Sequence, residues 1–270
     1  MSSTTNAVIA PVFRFRNLVR ELAITDFKLK YQGLALGYIW SLAKPLMLFA
    51  VLYFVFTRLI RLGDAVPNYA LYLLLGVVLW SYFLESTLVA MVSIVDRGDL
   101  IRKVYFPRIV IPIATSISSL ITLGLNLLVV FVFIAVTGVG FRPTLPLFAL
   151  LLIELYVLSL GCSLLLAALY VRFRDLRPIW EVGLQLLFYA SPIIYPLTIV
   201  PKRFAGLMAM SPIAQIVEDS RKVLITPQAL STVDYVQWPL ALFPYLIAPA
   251  VLVLGYWYFN STAAKFAEEL

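Results

Sequence analysis

The 270-residue sequence has no histidine and a single cysteine, Cys162. Those two scarcities exclude an intramolecular disulfide and a Cys/His metal cluster. Cys162 lies inside an apolar run and reads as a packing residue. Charge is also scarce: 13% of residues are charged against 62% hydrophobic, too little polar surface to cover a water-soluble globule. An integral membrane protein is expected. No glycine is followed by lysine, so the phosphate-cradling GxxxxGK[ST] loop is missing and the chain by itself is not a P-loop ATPase. A G-x-S-x-G elbow, an H-E-x-x-H pair and a paired-carboxylate constellation in an aqueous segment are missing too. Energy for any work must come from elsewhere. No motif repeats between the halves, which leaves an inverted-repeat secondary transporter without support. Residues Met1 to Phe13 place no basic residue ahead of an apolar run, so no cleaved signal is expected.

What is present is apolar length. Six runs reach the roughly 20 residues that a bilayer crossing needs: Tyr38 to Ile60, Tyr69 to Val95, Ile109 to Val136, Leu145 to Tyr170, Ile179 to Ile199 and Leu240 to Phe259. The net charge of +7 is dispersed among short connections rather than gathered on one face, which fits membrane topology better than nucleic acid. With the N-terminus cytoplasmic, the inner side receives more basic residues than the outer, and both termini are expected inside.

Phe15, Leu18, Val19 and Leu22 recur at helical spacing while Arg16, Asn17, Arg20 and Glu21 take the other side. This stretch predicts a surface helix feeding the first span. Asp26 and Lys30 would turn into its apolar face, so a bend or cap is expected near Thr25 and Asp26. Between the second and third spans, Asp99 is positioned to cap a short helix that Pro107 ends. Leu100, Ile101, Val104 and Tyr105 would lie on one side, and Arg102 and Lys103 on the other. In the long connection Val200 to Pro239, Ser211-Pro212 starts another helix, with Ile213, Ile216, Val217 and Leu224 on one face and Glu218, Asp219, Arg221 and Lys222 on the other. That segment is expected to dip into or lie on the outer surface.

Lys44, Glu85, Glu154 and Glu181 are charges within the apolar runs, where an ionisable group is costly unless paired or hydrated. Lys44 and Glu85 are expected to pair across adjacent helices, with a hydrated pathway role as the alternative. Tyr38, Phe49, Tyr53 and Phe56 in the first span, and Trp180, Phe188 and Tyr195 in the fifth, fall at helical spacing. Such stripes suit either ordinary packing or the C–H faces and hydroxyls of a glycan.

The run Lys30-Tyr31-Gln32-Gly33-Leu34-Ala35-Leu36-Gly37-Tyr38-Ile39-Trp40 through Pro45-Leu46 resembles the approach to the first span in permeases of type-two ATP-binding-cassette polysaccharide exporters, the O-antigen and teichoic-acid family. Gly76 to Phe83 with Trp80, Leu100 to Pro107, Phe173-Arg174-Asp175-Leu176, Ser191-Pro192-Ile193-Ile194-Tyr195-Pro196 and Ser211-Pro212 leading to Arg221 follow in the same order. The resemblance implies one all-α permease domain over residues 1–270, in the bacterial inner membrane. Phe15 to Tyr31 would be the interface helix and Asp99 to Phe106 (Asp99, Leu100, Ile101, Arg102, Lys103, Val104, Tyr105 and Phe106) the coupling helix. The half-helices around Phe204 to Met210 and Pro212 to Leu224, with Pro212 and Arg221, would form the external gate. It further implies two copies of a nucleotide-binding ATPase holding ATP and Mg, with no cofactor in this chain, a second copy of this chain, membrane lipids and a lipid-linked glycan as cargo. Arg16, Arg20, Lys28, Lys30 and Tyr31 would meet the pyrophosphate of that lipid. A type-two permease for a drug or another lipid, and a polytopic glycosyltransferase, stand as alternatives.

Overall fold

A computed structural model describes residues 15–32, 37, 39–61, 66–104, 106–140, 142–226 and 229–266, without the side chains of Tyr31 and Lys202. The expectations placed on the Tyr31 side chain, on Tyr38 and on Tyr105 lie outside the described residues. The elements, in order, are helices α1 (Arg16–Tyr31), α2 (Ile39–Phe54, continued by a π-turn Val55–Leu59), α3 (Tyr69–Asp96), α4 (Gly98–Lys103), α5 (Val110–Thr137), α6 (Leu145–Arg172), α7 (Leu176–Ala190), α8 (Lys202–Ala209), α9 (Pro212–Leu224), α10 (Thr232–Tyr235) and α11 (Phe243–Ala263). Among the described residues, five helices are long and apolar enough to cross a membrane: Ile39–Leu59, Tyr69–Asp96, Val110–Thr137, Leu145–Arg172 and Leu240–Ala263. Those of 28 residues rise about 42 Å, more than the hydrocarbon core of about 30 Å, so their ends project or they tilt.

The fifth expected span is built differently. The apolar run Ile179 to Ile199 contains only α7, which ends at Ala190, then a turn and a single 3₁₀ turn, Leu197–Ile199. The cause is local: Ser191 precedes Pro192, and the proline ring disfavours helical geometry at the residue before it. Ser191 is accordingly extended (φ −99°, ψ 146°). At 15 residues α7 rises only about 22 Å.

The core gathers on α3, which is apolar around its whole circumference and buried along most of its length, as a central helix must be. It packs against α5, α6 and α9. A second cluster joins α1 to the rest: Val19 and Ala23 are buried against Ile94, Ile109, Val110 and Ala114. The backbones of α6 and α11 approach closely where Gly161 meets Gly255. A Cβ on Gly161 would lie 2.7 Å from Leu252 Cα, so small residues here let two helices touch backbone to backbone.

Candidate functional site

The end of the bundle carrying α1 holds two ion pairs that join this helix to α3. Contrary to the expected bend, α1 runs unbroken to Tyr31, and Asp26 and Lys30, one turn apart, both face the bundle. Asp26 pairs with Arg97 at the end of α3 and accepts from the Thr115 hydroxyl at 3.4 Å. Lys30 pairs with Glu85 inside α3. The expected Lys44–Glu85 pair is therefore replaced: a straight α1 returns Lys30 to α3 and takes the carboxylate. Arg16, Arg20 and Lys28 stay exposed on the outward face of α1.

Beside these pairs runs a groove along α3. A cavity of about 300 Å³ between α1, α3 and α5 is lined by Asp26, Lys30, Glu85, Asp96 and Arg97. It shares Lys30, Glu85, Val89 and Ser119 with a cavity of about 390 Å³ between α2, α3 and α5, lined also by Trp40, Lys44, Trp80, Thr122 and Asn126. Leu48, Trp80, Leu84 and Leu88 carry this into a third cavity of about 290 Å³ against α7. Asn126 donates from Nδ2 to the Ser41 and Thr122 carbonyls at 3.3 and 2.9 Å, tying α2 to α5.

The aromatic residues divide. Trp180 donates from Nε1 to Thr87 Oγ1 at 3.1 Å, and Phe188 packs on Trp80 with ring centroids 5.6 Å apart. These two sit where α7 meets the groove along α3. Tyr195 does not continue their stripe: it lies beyond the end of α7, in the turn, donating from its hydroxyl to the Tyr189 carbonyl at 2.7 Å. Phe49 is buried, stacked on Tyr53 and edge-on to Phe133 of α5, and Phe56 packs on the same core. The first-span stripe thus serves packing between α2 and α5, with Tyr53 at its exposed edge.

α4 is shorter than expected. It ends at Lys103 rather than running to Phe106, Arg97 occupies the cap position, and Asp99 lies in the first turn without a side-chain cap bond. Ile101 and Phe106 point into the core, while Val104 sits in extended backbone and joins Arg102 and Lys103 on the exposed side. A cavity of about 800 Å³ lies here, lined by Phe15, Arg102, Lys103, Arg108 and the end of α11 at Phe259 and Ala263. Its wall is apolar and its rim basic.

The profile of the family described as ABC-2 type transporter matches residues 17–225, from α1 through α9. The chain belongs to the ABC-2 type transporter family. It is a multi-pass membrane protein and a transport subunit, and membership implies pairing with a separate ATP-binding-cassette ATPase. Similar proteins include the O-antigen export system permease protein RfbA of Klebsiella pneumoniae, 30% identical over 251 residues, covering 91% of this chain and 92% of that one. The protein of the same name from Myxococcus xanthus is 26% identical over 269 residues, covering 97% and 99%. The polysialic acid transport protein KpsM of Escherichia coli is 24% identical over 216 residues, covering 77% and 81%.

In this ABC-2 chain the opposite end of the bundle is organised by α9. Its polar face is not solvated as an amphipathic reading would have it: Gln215, Glu218, Asp219 and Arg221 are all buried. Arg221, 0% exposed, donates to the carbonyls of Tyr72, Pro192 and Ile193 at 3.1, 2.6 and 2.6 Å and to Glu218 Oε1 at 3.0 Å, and lies over the Tyr72 ring. One guanidinium therefore serves carbonyls that the break after α7 leaves outside a helix. Tyr72 donates to Glu218 at 2.8 Å. Asp219 accepts from Tyr245 of α11 at 2.5 Å and from Gln215 at 2.9 Å. Pro212 opens α9 at its first turn. Beyond it, Asp234 accepts from the Ser231 backbone N–H at 2.7 Å and from Lys222 at 2.9 Å, which together hold its carboxyl below the usual aspartate range.

Proposed function

We propose that the chain is the membrane-spanning subunit of an ATP-driven exporter that moves a lipid-linked polysaccharide, an O-antigen or comparable envelope glycan on a polyprenyl pyrophosphate, from the cytoplasmic to the outer side of the bacterial inner membrane. The observation that carries this reading is similarity along nearly the whole chain to two proteins named O-antigen export permeases. The charged groove fits it, since a cargo with an anionic link between lipid and sugar needs cations near the membrane surface and aromatic faces above them.

In this reading residues 1–270 form one permease domain with both termini in the cytoplasm, and two copies assemble around the path. α7 with the turn after it makes the fifth of six crossings. α1 is the interface helix and α4 the coupling helix, and two ATPase subunits, each holding ATP and Mg, dock at the basic-rimmed cavity beside α4. Arg16, Arg20 and Lys28 draw the pyrophosphate to the inner surface. α8 and α9, with Pro212 and Arg221, close the outer end. The test is the complex with its co-isolated ATPase reconstituted in vesicles: lipid-linked glycan should stimulate ATP hydrolysis and appear on the opposite leaflet. Stimulation by an amphipathic drug with none by glycan would overturn the reading.

A further inference from the structure

Lys44 is a cation without a described counter-charge. It stands on α2 about 7 Å beyond the helix start, on the stretch Ile39–Thr57 that carries no other charge. It makes no ion pair among the described residues, and a bare cation on a membrane helix is costly. It lines the same cavity as the Lys30–Glu85 pair, so two ammonium groups and one carboxylate border one space. Asp96 lies at the far end of the adjoining cavity, about 16 Å along α3 from Glu85. Thr122, 6% exposed, lines the space with a hydroxyl that no described group satisfies. Toward α7 the lining is mainly apolar, through Leu48, Leu84, Leu88 and Phe188, beside Gln185 and a Glu181 whose charge is met by Arg177 at 3.0 Å. The ligand chemistry follows: a head with more than one negative charge joined to an apolar chain.

We propose that Lys44 and Lys30 bind the diphosphate of a polyprenyl lipid in this cleft, with Glu85 as the counter-ion that the diphosphate displaces from Lys30. The displacement needs a multiply charged head. A phosphodiester headgroup with one charge gains one cation and leaves Glu85 without its partner, whereas a diphosphate bridges both cations and outweighs the carboxylate. Binding opens one of the two ion pairs that join α1 to α3 and leaves Asp26–Arg97 in place. Cargo in the cleft is thereby felt at α1. That the lipid is the cargo's own rests on the export function proposed above.

Trp40 and Trp80 line the cleft and report on it. The test titrates the chain in nanodiscs with polyprenyl diphosphate, polyprenol and phosphatidylglycerol while following tryptophan emission. Polyprenyl diphosphate should bind saturably and the other two should not. Lys44→Gln should weaken binding about tenfold, the worth of one charge-assisted contact, and Lys44→Arg should restore it. Glu85→Gln should tighten binding, a sign that damage to the fold would not produce. No binding, binding indifferent to Lys44→Gln, weaker binding in Glu85→Gln, or equal binding of phosphatidylglycerol would each overturn the site. A second arm measures ATP hydrolysis by the complex with lipid-linked glycan. If the diphosphate binds as described but the glycan gives no stimulation, the site stands and the export reading falls.

Discussion

Gly76 lies mid-helix in α3, where replacement by alanine ordinarily favours the helix by up to about 1 kcal/mol. Here it should do the reverse. A Cβ at position 76 would stand 2.6 Å from Arg221 Nη2 and 3.0 Å from the Ile193 carbonyl oxygen. The guanidinium has nowhere to retreat, since the Tyr72 ring centre lies 3.4 Å from its carbon and the Tyr72, Pro192 and Ile193 carbonyls fix its nitrogens. Moving it breaks the bonds to Pro192 and Ile193, each a hydrogen bond to a charged group worth about 1.5 to 3 kcal/mol. After subtracting the helix gain, Gly76→Ala should cost roughly 2 to 5 kcal/mol. Gly124 is the control, a mid-helix glycine of α5 with nothing within 4 Å of where an alanine methyl would stand. Thermal unfolding in nanodiscs, followed by extractable folded protein, should place Gly76→Ala well below wild type and Gly124→Ala at or above it. Equal behaviour of the two variants would refute the argument that Arg221 is pinned.

Replacing Gly161 by leucine should force α6 and α11 apart and reduce the folded yield sharply, checked by detergent-solubilised monodispersity, because its Cβ position already lies 2.7 Å from Leu252 Cα. Reversing Arg102 and Lys103 to glutamate should lower ATPase co-purification severalfold while the chain still inserts, since both are exposed at the rim of the cavity beside α4. Asp234 gives a pH prediction. Its carboxyl is held below the ordinary range, so its contribution is complete above the ordinary aspartate pKa of about 3.9 and is lost as pH falls through the lowered folded-state value. Protection from hydrogen exchange around α10, taken relative to the intrinsic amide rate at each pH, should therefore fall in acid in the wild type and be lower but flat with pH in Asp234→Asn.

The five long helices are legible in the sequence because an apolar run of 20 or more residues has few other uses. The run Ile179 to Ile199 misleads because hydropathy does not separate a continuous helix from a short helix followed by a buried turn; Ser191-Pro192 is the signal, through the restriction that proline places on its predecessor. The polar face of α9 misleads for a related reason. Glu218 and Arg221 at i,i+3 read equally as a wet face or a buried pair, and only the Tyr72, Pro192 and Ile193 groups brought from distant positions decide it. In the groove, Glu85 stands out as a charge in an apolar run but its partner does not. Spacing of four between Asp26 and Lys30 already places them on one face of a continuous helix, and it is the expected bend that hides Lys30 from α3. Trp80 shows in the sequence only as part of a motif, since its contact with Phe188 depends on how α7 leans on α3.

The fastenings of α9 gather stiffness into one part of the bundle. Through Arg221 it is bolted to α3, through Gln215 to Glu154 of α6 at 3.4 Å, and through Asp219 to Tyr245 of α11, so these four helices behave as a stator. α2 and α7 stand outside it, one with Ser41, Pro45 and Phe49 as its buried residues and the other with Leu184. Amide exchange should be slowest across the stator and fastest along these two, so they are the helices expected to yield when the groove widens.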